Sequence, residues 1–270
     1  MIPNLTIGDL MIDCANAERA RDFYVNLLGW ESAVESDRPA LITGNGMMIL
    51  FAEPEIPYMP PVWPEEPGAQ QKQMHLDFSV DDFPSAVEKA IRLGATTAAA
   101  QYGGEGFITM HDTEGHPFCL CKKRDNKSEK SEFDLYFEKM GYGAIPDISI
   151  NIDCNKQSAL RNFYAQITGW DQNFDSSALV ADNGMIVCFQ GCDNDATMDE
   201  YAPPVWPEQP GKQQKQMRFD FQTEDLRSAV AEAVGLGAVK PAAQYGDEHR
   251  VTLLDTDGHP FCLYTKVFDD

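Results

Sequence analysis

Basic residues are scarce in this chain: Lys and Arg total 21 against 43 Asp and Glu, giving a net charge of −22 and a pI near 4.4. So acidic a surface repels phosphate backbones and anionic lipid, which excludes nucleic acid and membrane surfaces as expected partners. Long apolar runs are missing too. Stretches such as MMILFA (47–52) fall far short of a signal core or a membrane span, and MIPNLTIGDLMID has no basic residue before Arg19. The seven cysteines (Cys14, Cys119, Cys121, Cys154, Cys188, Cys192 and Cys262) form no CxxC pair, so the strongest zinc and redox signatures are absent. Their odd number, without a small disulfide framework, fits reduced thiols. No phosphate loop, Rossmann glycine fingerprint or GxSxG elbow occurs. These absences predict a soluble, cytoplasmic protein, and a hydrophobic content of 43% predicts a globular one.

What is present is a duplication. IDCANAERARDFYVNLLGW (12–30) returns as IDCNKQSALRNFYAQITGW (152–170), and PPVWPEEPGAQQKQM (60–74) returns as PPVWPEQPGKQQKQM (203–217). AAQYGG and DTEGHPFCL also recur, and the spacing drifts by three residues in the loops before PPVWP, where insertion is tolerated. The chain therefore divides into homologous units at 1–124 and 145–270. The connector, 125–144, begins as a charged linker; Phe133, Tyr136, Phe137 and Met140 then recur at helical spacing and predict a short docked helix.

Within a unit, strand and helix periods alternate. TIGDLMIDC alternates by two; Asn16 caps a helix with Ala20, Phe23, Tyr24, Leu27 and Leu28 on one face, and Gly29 ends it. Strands at ALIT and MMILFA follow. After the PPVWP loop the pattern restarts with strand MHLDFSV, a helix from Asp82, and strands FITMHD and FCLCKK around the turn TEGH. The pattern is βαβββ, twice per unit.

That module order, with FYVNLLGWE, HLDFSVDD, LGA and HDTEGHPFCL in sequence, resembles the vicinal oxygen chelate superfamily over both units, and most closely its glyoxalase-like branch. The resemblance implies an α+β fold of two domains, each of two βαβββ modules forming a cup-shaped mixed sheet around a cleft. The superfamily includes glyoxalases, extradiol dioxygenases, epimerases, thiol transferases and bleomycin-binding proteins, so fold alone does not fix the reaction. Modules in this superfamily often pair across a dimer, which implies either a monomer with internal domain pairing or a homodimer.

Strand parity then assigns faces. Met74, Leu76 and Phe78 point to the helices, leaving His75 and Asp77 for the cleft; Asp9, Met11, Asp13, Met48, Leu50, Cys119 and Cys121 share that orientation. Taken unit by unit, this gathers Asp13, His75, Asp77 and Cys119 into one concavity and Asp153, Arg218, Asp220 and Cys262 into its counterpart. The positions matching the family's metal ligands read Asp9, Leu50, His75 and Cys119 in the first unit, and Ser149, Cys188, Arg218 and Cys262 in the second. Leu cannot ligate and Arg is a permanent cation, so no metal is expected in the second unit; in the first, an Asp9–His75–Cys119 set remains chemically open to a divalent ion.

Asp13, Asp77, Asp153 and Asp220 either hold the sheet through Lys/Arg and backbone bonds or contact a ligand. Trp63 and Trp206, in Pro-braced loops, and Tyr102 and Tyr245, beside glycines, either anchor loops or line the cleft mouths. Cys119, Cys121 and Cys262 are inert packing or, beside His75, a nucleophile. His116 and His259 read as turn residues. The leading expectation is a cofactor-free protein that binds a small apolar or aromatic molecule between Met48, Leu50, Trp63 and Tyr102. The alternatives are a glyoxalase-type lyase or isomerase using His75 with cleft carboxylates, and a scaffold whose clefts have closed.

Overall fold

The computed structural model describes residues 1–102, 104–123, 132–141, 147–193 and 200–266. The charged first part of the connector lies outside the described residues.

The first unit opens with β1 (Thr6–Asp13), α1 (Ala17–Leu28), β2 (Glu31–Glu35), β3 (Arg38–Ile42) and β4 (Met48–Ala52). Asn16 accepts from Arg19 N at 2.8 Å to start α1, and Gly29 stops it at φ 74°, a left-handed conformation that costs glycine little. A second module follows: β5 (Met74–Val80), α2 (Phe83–Arg92), β6 (Thr96–Thr97), β7 (Phe107–His111) and β8 (Pro117–Lys122). The predicted connector helix is α3 (Glu132–Met140); Phe137 is fully buried and Tyr136 hydrogen-bonds Asp171. The second unit repeats the plan with β9 (Ile148–Cys154), α4 (Gln157–Thr168), β10 (Asp171–Asp175), β11 (Ala178–Val180) and β12 (Ile186–Gly191). Its last module has β13 (Met217–Gln222), α5 (Leu226–Gly235), β14 (Arg250–Leu254) and β15 (Pro260–Tyr264), with a single bridge, Val239 to Leu254, in place of the short strand.

These strands form two mixed sheets, and neither sheet belongs to one unit. The seven-stranded sheet runs β14-β15-β13-β1-β4-β3-β2, and the eight-stranded sheet runs β10-β11-β12-β9-β5-β8-β7-β6. Each cup therefore joins one module from each half. The seams are antiparallel: Met11 faces Arg218 across β1–β13, and His75 faces Asn151 across β5–β9. The boundaries 1–124 and 145–270 mark a repeat in sequence, whereas the cups cross them. The module pairing that the resemblance allows between two chains is met here within one.

Parity holds on both sheets. Leu10, Ile12, Ile49, Phe51, Met74, Leu76, Phe78, Phe118 and Leu120 enter one large core. That core lies between the sheets, with α1 and α4 as its filling. Tyr24 of α1 stacks on Phe51 of the seven-stranded sheet (6.0 Å between centroids) and lies 5.6 Å from Phe78 of the other. Tyr164 of α4 repeats this with Phe189 and Phe219, at 5.7 and 6.1 Å. Burying one such ring contributes about 3 kcal/mol.

The repeated QQKQM segments meet each other where the halves join. Gln70 Nε2 donates to Gln214 O at 2.8 Å, and Gln214 N donates to Gln70 Oε1 at 2.7 Å. Gln71 N and Gln213 Oε1 make a further bond at 2.9 Å. The glutamines thus satisfy backbone groups that cross-unit packing would otherwise bury unpaired. Among the described residues, no helix is long and apolar enough to cross a membrane.

Candidate functional site

Each sheet carries a cleft. The first, on the seven-stranded sheet, encloses about 330 Å³ and is lined by Met11, Asp13, Trp206, Arg218, Tyr245 and Arg250, among others. The second, on the eight-stranded sheet, encloses about 250 Å³ among Trp63, Lys72, His75, Asp77, Tyr102 and Cys119, with further contributions from neighbouring strands.

The expected grouping by unit is therefore corrected. Asp13 does not share a concavity with His75, Asp77 and Cys119, because β1 pairs with β13 rather than with β5. Asp153, likewise, lies on the eight-stranded sheet beside the His75 cleft, away from Arg218, Asp220 and Cys262. The expected wall of Met48, Leu50, Trp63 and Tyr102 is split in the same way. Leu50 and Met48 pack with Met11 and Ala40 in a small apolar cluster of the first cleft's sheet, whereas Trp63 and Tyr102 wall the second cleft.

In the second cleft, Trp63 and Tyr102 meet edge to face at 5.2 Å between centroids, and Trp63 Nε1 is fixed by Ala100 O at 3.2 Å. Beneath them, His75 Nε2 lies 3.5 Å from Asp77 Oδ1, and Asn151 Nδ2 donates to Asp77 Oδ2 at 2.9 Å. Burial, reinforced by the Lys72 charge, lowers His75 to about 3, so its ring is neutral. Burial raises Asp77 to about 6, against hydrogen bonds from Asn151 and Cys119 that pull it down. Two polar atoms on this floor, His75 Nδ1 and Asp77 Oδ1, are buried with no hydrogen-bond partner. Such orphans cost free energy and mark places where a bound group can supply the missing bond. Burial, then the Asp77 charge, pushes Cys119 up to about 12; at neutral pH it is a thiol held by Thr109 Oγ1, not a nucleophile.

The acids Asp13 and Asp153, matched between the two repeats, are claimed by lysines of the opposite half. Lys72 Nζ lies 2.6 Å from Asp153 Oδ2 and 3.2 Å from Glu65 Oε1, and sits 5.0 Å from the Trp63 ring centroid. Burial alone would depress this ammonium, but Asp153 and Glu65 outweigh it and raise Lys72. Lys215 bonds Asp13 and Glu208 in the same way. Asp220 is held by Arg218 Nε at 2.9 Å and by Arg250.

Several residues escaped sequence reasoning. Lys72 and Lys215 had a signal, since both repeats keep the Lys of QQKQM. Asn151 and Arg250 had none, because their counterparts in the other half are Met11 and Phe107. His116 and His259 are more than turn residues. His116 Nδ1 lies 3.1 Å from Asp112 Oδ2, its Nε2 lies 2.8 Å from Tyr58 Oη, and Tyr24 Oη donates to the same Asp at 2.7 Å. His259, Asp255, Tyr201 and Tyr164 repeat this buried network.

His75, Asp77 and Cys119 also test the fit of a metal, since one ligand atom from each lies within 4.8 Å of the others. A nitrogen, oxygen and sulfur set suits zinc, and an unprotonated ring with an unpartnered Nδ1 is ready to ligate. This set differs from Asp9–His75–Cys119: Asp9 stands on the other sheet, and Asp77 takes its place. The first cleft does not fit a cation, because Arg218 and Arg250 occupy it.

The family described as a glyoxalase-like domain matches residues 9–121 and again 149–264. No curated protein matches the chain. Among solved structures, glyoxalase I from Zea mays superposes with a TM-score of 0.59 at 12% identity, covering 97% of this chain and 92% of that one. A putative dioxygenase from Bacillus subtilis gives 0.55 at 11% identity, covering 96% and 84%. At these identities the likeness is one of fold. With a glyoxalase-like domain matched across both units, the chain belongs to the glyoxalase-like domain family.

Proposed function

We propose that the chain is a cytoplasmic small-molecule-binding protein whose second cleft takes a small, flat, largely apolar or aromatic compound without a metal. The observation that carries this reading is the pair of unpartnered buried atoms, His75 Nδ1 and Asp77 Oδ1, beneath the Trp63–Tyr102 wall. A ring against Trp63 and one polar group meeting His75 and Asp77 would satisfy both the apolar wall and the orphaned floor. The scaffold alternative called for clefts filled by side chains, and both clefts contain cavities.

A second reading, a glyoxalase-type lyase or isomerase, is favoured by the clustered His75, Asp77 and Cys119. A zinc-type ion held there would supply Lewis-acid polarisation of a ligand oxygen. Without an ion, Asp77, raised to about 6 by burial, would instead serve as the proton acceptor near neutral pH, with Asn151 fixing its orientation.

Fluorescence titration with neutral aromatic probes, indole and 1-naphthol, tests the first reading. Quenching is expected in the parent, its loss in Trp63→Phe, and affinity about tenfold weaker in His75→Ala, the size of one lost hydrogen bond. Quenching indifferent to both substitutions would refute it. Elemental analysis of the same samples separates the readings: one zinc per chain, lost with His75→Ala, selects the second.

A further inference from the structure

The two clefts differ at matched positions in concert. β13 carries Arg218 where β5 carries His75, and β14 carries Arg250 where β7 carries Phe107. Neither position is unusual alone. Together they place two guanidiniums on one acid: Arg218 donates from Nε and Nη2 to Asp220, at 2.9 and 3.4 Å, and Arg250 Nη1 donates to Asp220 Oδ2.

The Asp220 side chain is fully buried, and those of Arg218 and Arg250 are 14% and 27% exposed. Two permanent cations thus share one carboxylate in a largely desolvated setting, which favours a second anion. Asp9 faces Asp220 in the strand register. Burial, then the Asp220 charge, raises Asp9 to about 7, so it supplies less than a full second charge at neutral pH. Lys215 is engaged by Asp13 and Glu208, a cluster with the opposite excess, so a ligand anion is directed to the arginines rather than to the lysine. Arg38, Glu53 and Glu55 line the same cleft but are exposed, where salt screens them. A guanidinium has five N–H donors, and both arginines retain unspent ones in the cleft they line.

The rest of this cleft is aromatic. Trp206 and Tyr245 meet edge to face at 5.1 Å between centroids, and Trp206 Nε1 is fixed by Ala243 O at 3.0 Å. The cavity of about 330 Å³ lies at the small end of small-molecule sites, roughly 300–1,000 Å³.

We infer that the first cleft is a binding site for a small aromatic carboxylate, its carboxylate meeting Arg218 and Arg250 and its ring lying against Trp206 and Tyr245. This site shares no residue with the second cleft, so either assignment can fail alone.

The test is calorimetric titration of the full chain with benzoate and with benzamide, its neutral isostere, alongside tryptophan fluorescence. Benzoate is expected to bind at least about tenfold more tightly than benzamide, as a charge-assisted fork implies. Arg250→Gln leaves the Arg218–Asp220 pair in place and should erase that preference while sparing benzamide. Should Arg250→Gln melt early, Arg218→Lys keeps the charge, loses the fork and should weaken benzoate alone. Quenching by benzoate should vanish in Trp206→Phe and persist in Trp63→Phe and His75→Ala. Absence of benzoate binding, equal affinity for benzamide, indifference to both arginine variants, or quenching that follows Trp63 would each overturn the inference.

Discussion

His75 and Asp77 stand two residues apart on one strand face, yet burial moves their protonation in opposite directions relative to neutral pH. Asp77 is raised to about 6 from an unfolded value of about 3.9. The folded state therefore binds its proton more tightly, and stability falls as pH climbs from about 4 to about 6. His75 is lowered to about 3 from about 6.5, so its contribution runs the other way: it is complete above 6.5 and is lost as pH falls towards 3. In the parent these slopes oppose each other. Asp77→Asn removes the first, so at pH 7.5 the variant should be more stable than the parent, by on the order of 2 kcal/mol. It should then lose stability more steeply than the parent on acidification below pH 6.5. Denaturant melts across pH 4–8 check this, and parallel curves for the two proteins would contradict the assignment.

At the scale of elements, β5 and β13 enter their sheets from the QQKQM segments, and these segments bind the halves as well as leading into the clefts. Lys72 precedes β5 and pairs with Asp153 at the end of β9, both nearly inaccessible to solvent. Removing one partner of such a pair leaves a buried charge alone, at a cost of about 3–5 kcal/mol. Lys72→Met is expected to show that loss, and Lys72→Met with Asp153→Asn to recover part of it, since Glu65 also loses its lysine. Urea denaturation of the two single variants and the double variant gives the coupling directly; additive losses would mean that the pair contributes nothing across the join.

For the whole molecule, the topology ties the units together twice. Each sheet takes one module from each half, and α1 and α4 then fill the space between the sheets. In this topology neither unit completes a cup by itself. Residues 1–124 and 145–270 produced as separate chains should not yield cooperative monomers, because each would expose the edges of β1 and β5, or of β9 and β13. Mixed, they should form a 1:1 complex of the parent's size. Size-exclusion chromatography with thermal melts decides this, and a well-folded monomeric half would count against the interlocked arrangement.

Local and periodic features were legible along the chain. Alternation by two in MHLDFSV placed His75 and Asp77 on one face and Met74, Leu76 and Phe78 in the core, because side-chain direction follows strand geometry wherever one face is buried. Asn16 and Gly29 delimited α1 as expected, since caps are satisfied by neighbours within a few residues. The duplication and its resemblance gave the module fold for the same reason: both are written in contiguous residues. Which module pairs with which was not legible, because a strand edge carries no label for its partner, and two homologous halves offer nearly equal edges. Only the folded topology set β1 against β13 and β5 against β9, and so separated Asp13 from His75 and brought Asn151 to Asp77. The electrostatics followed from that choice, since the pKa of a buried group depends on charges distant in sequence and adjacent only after folding.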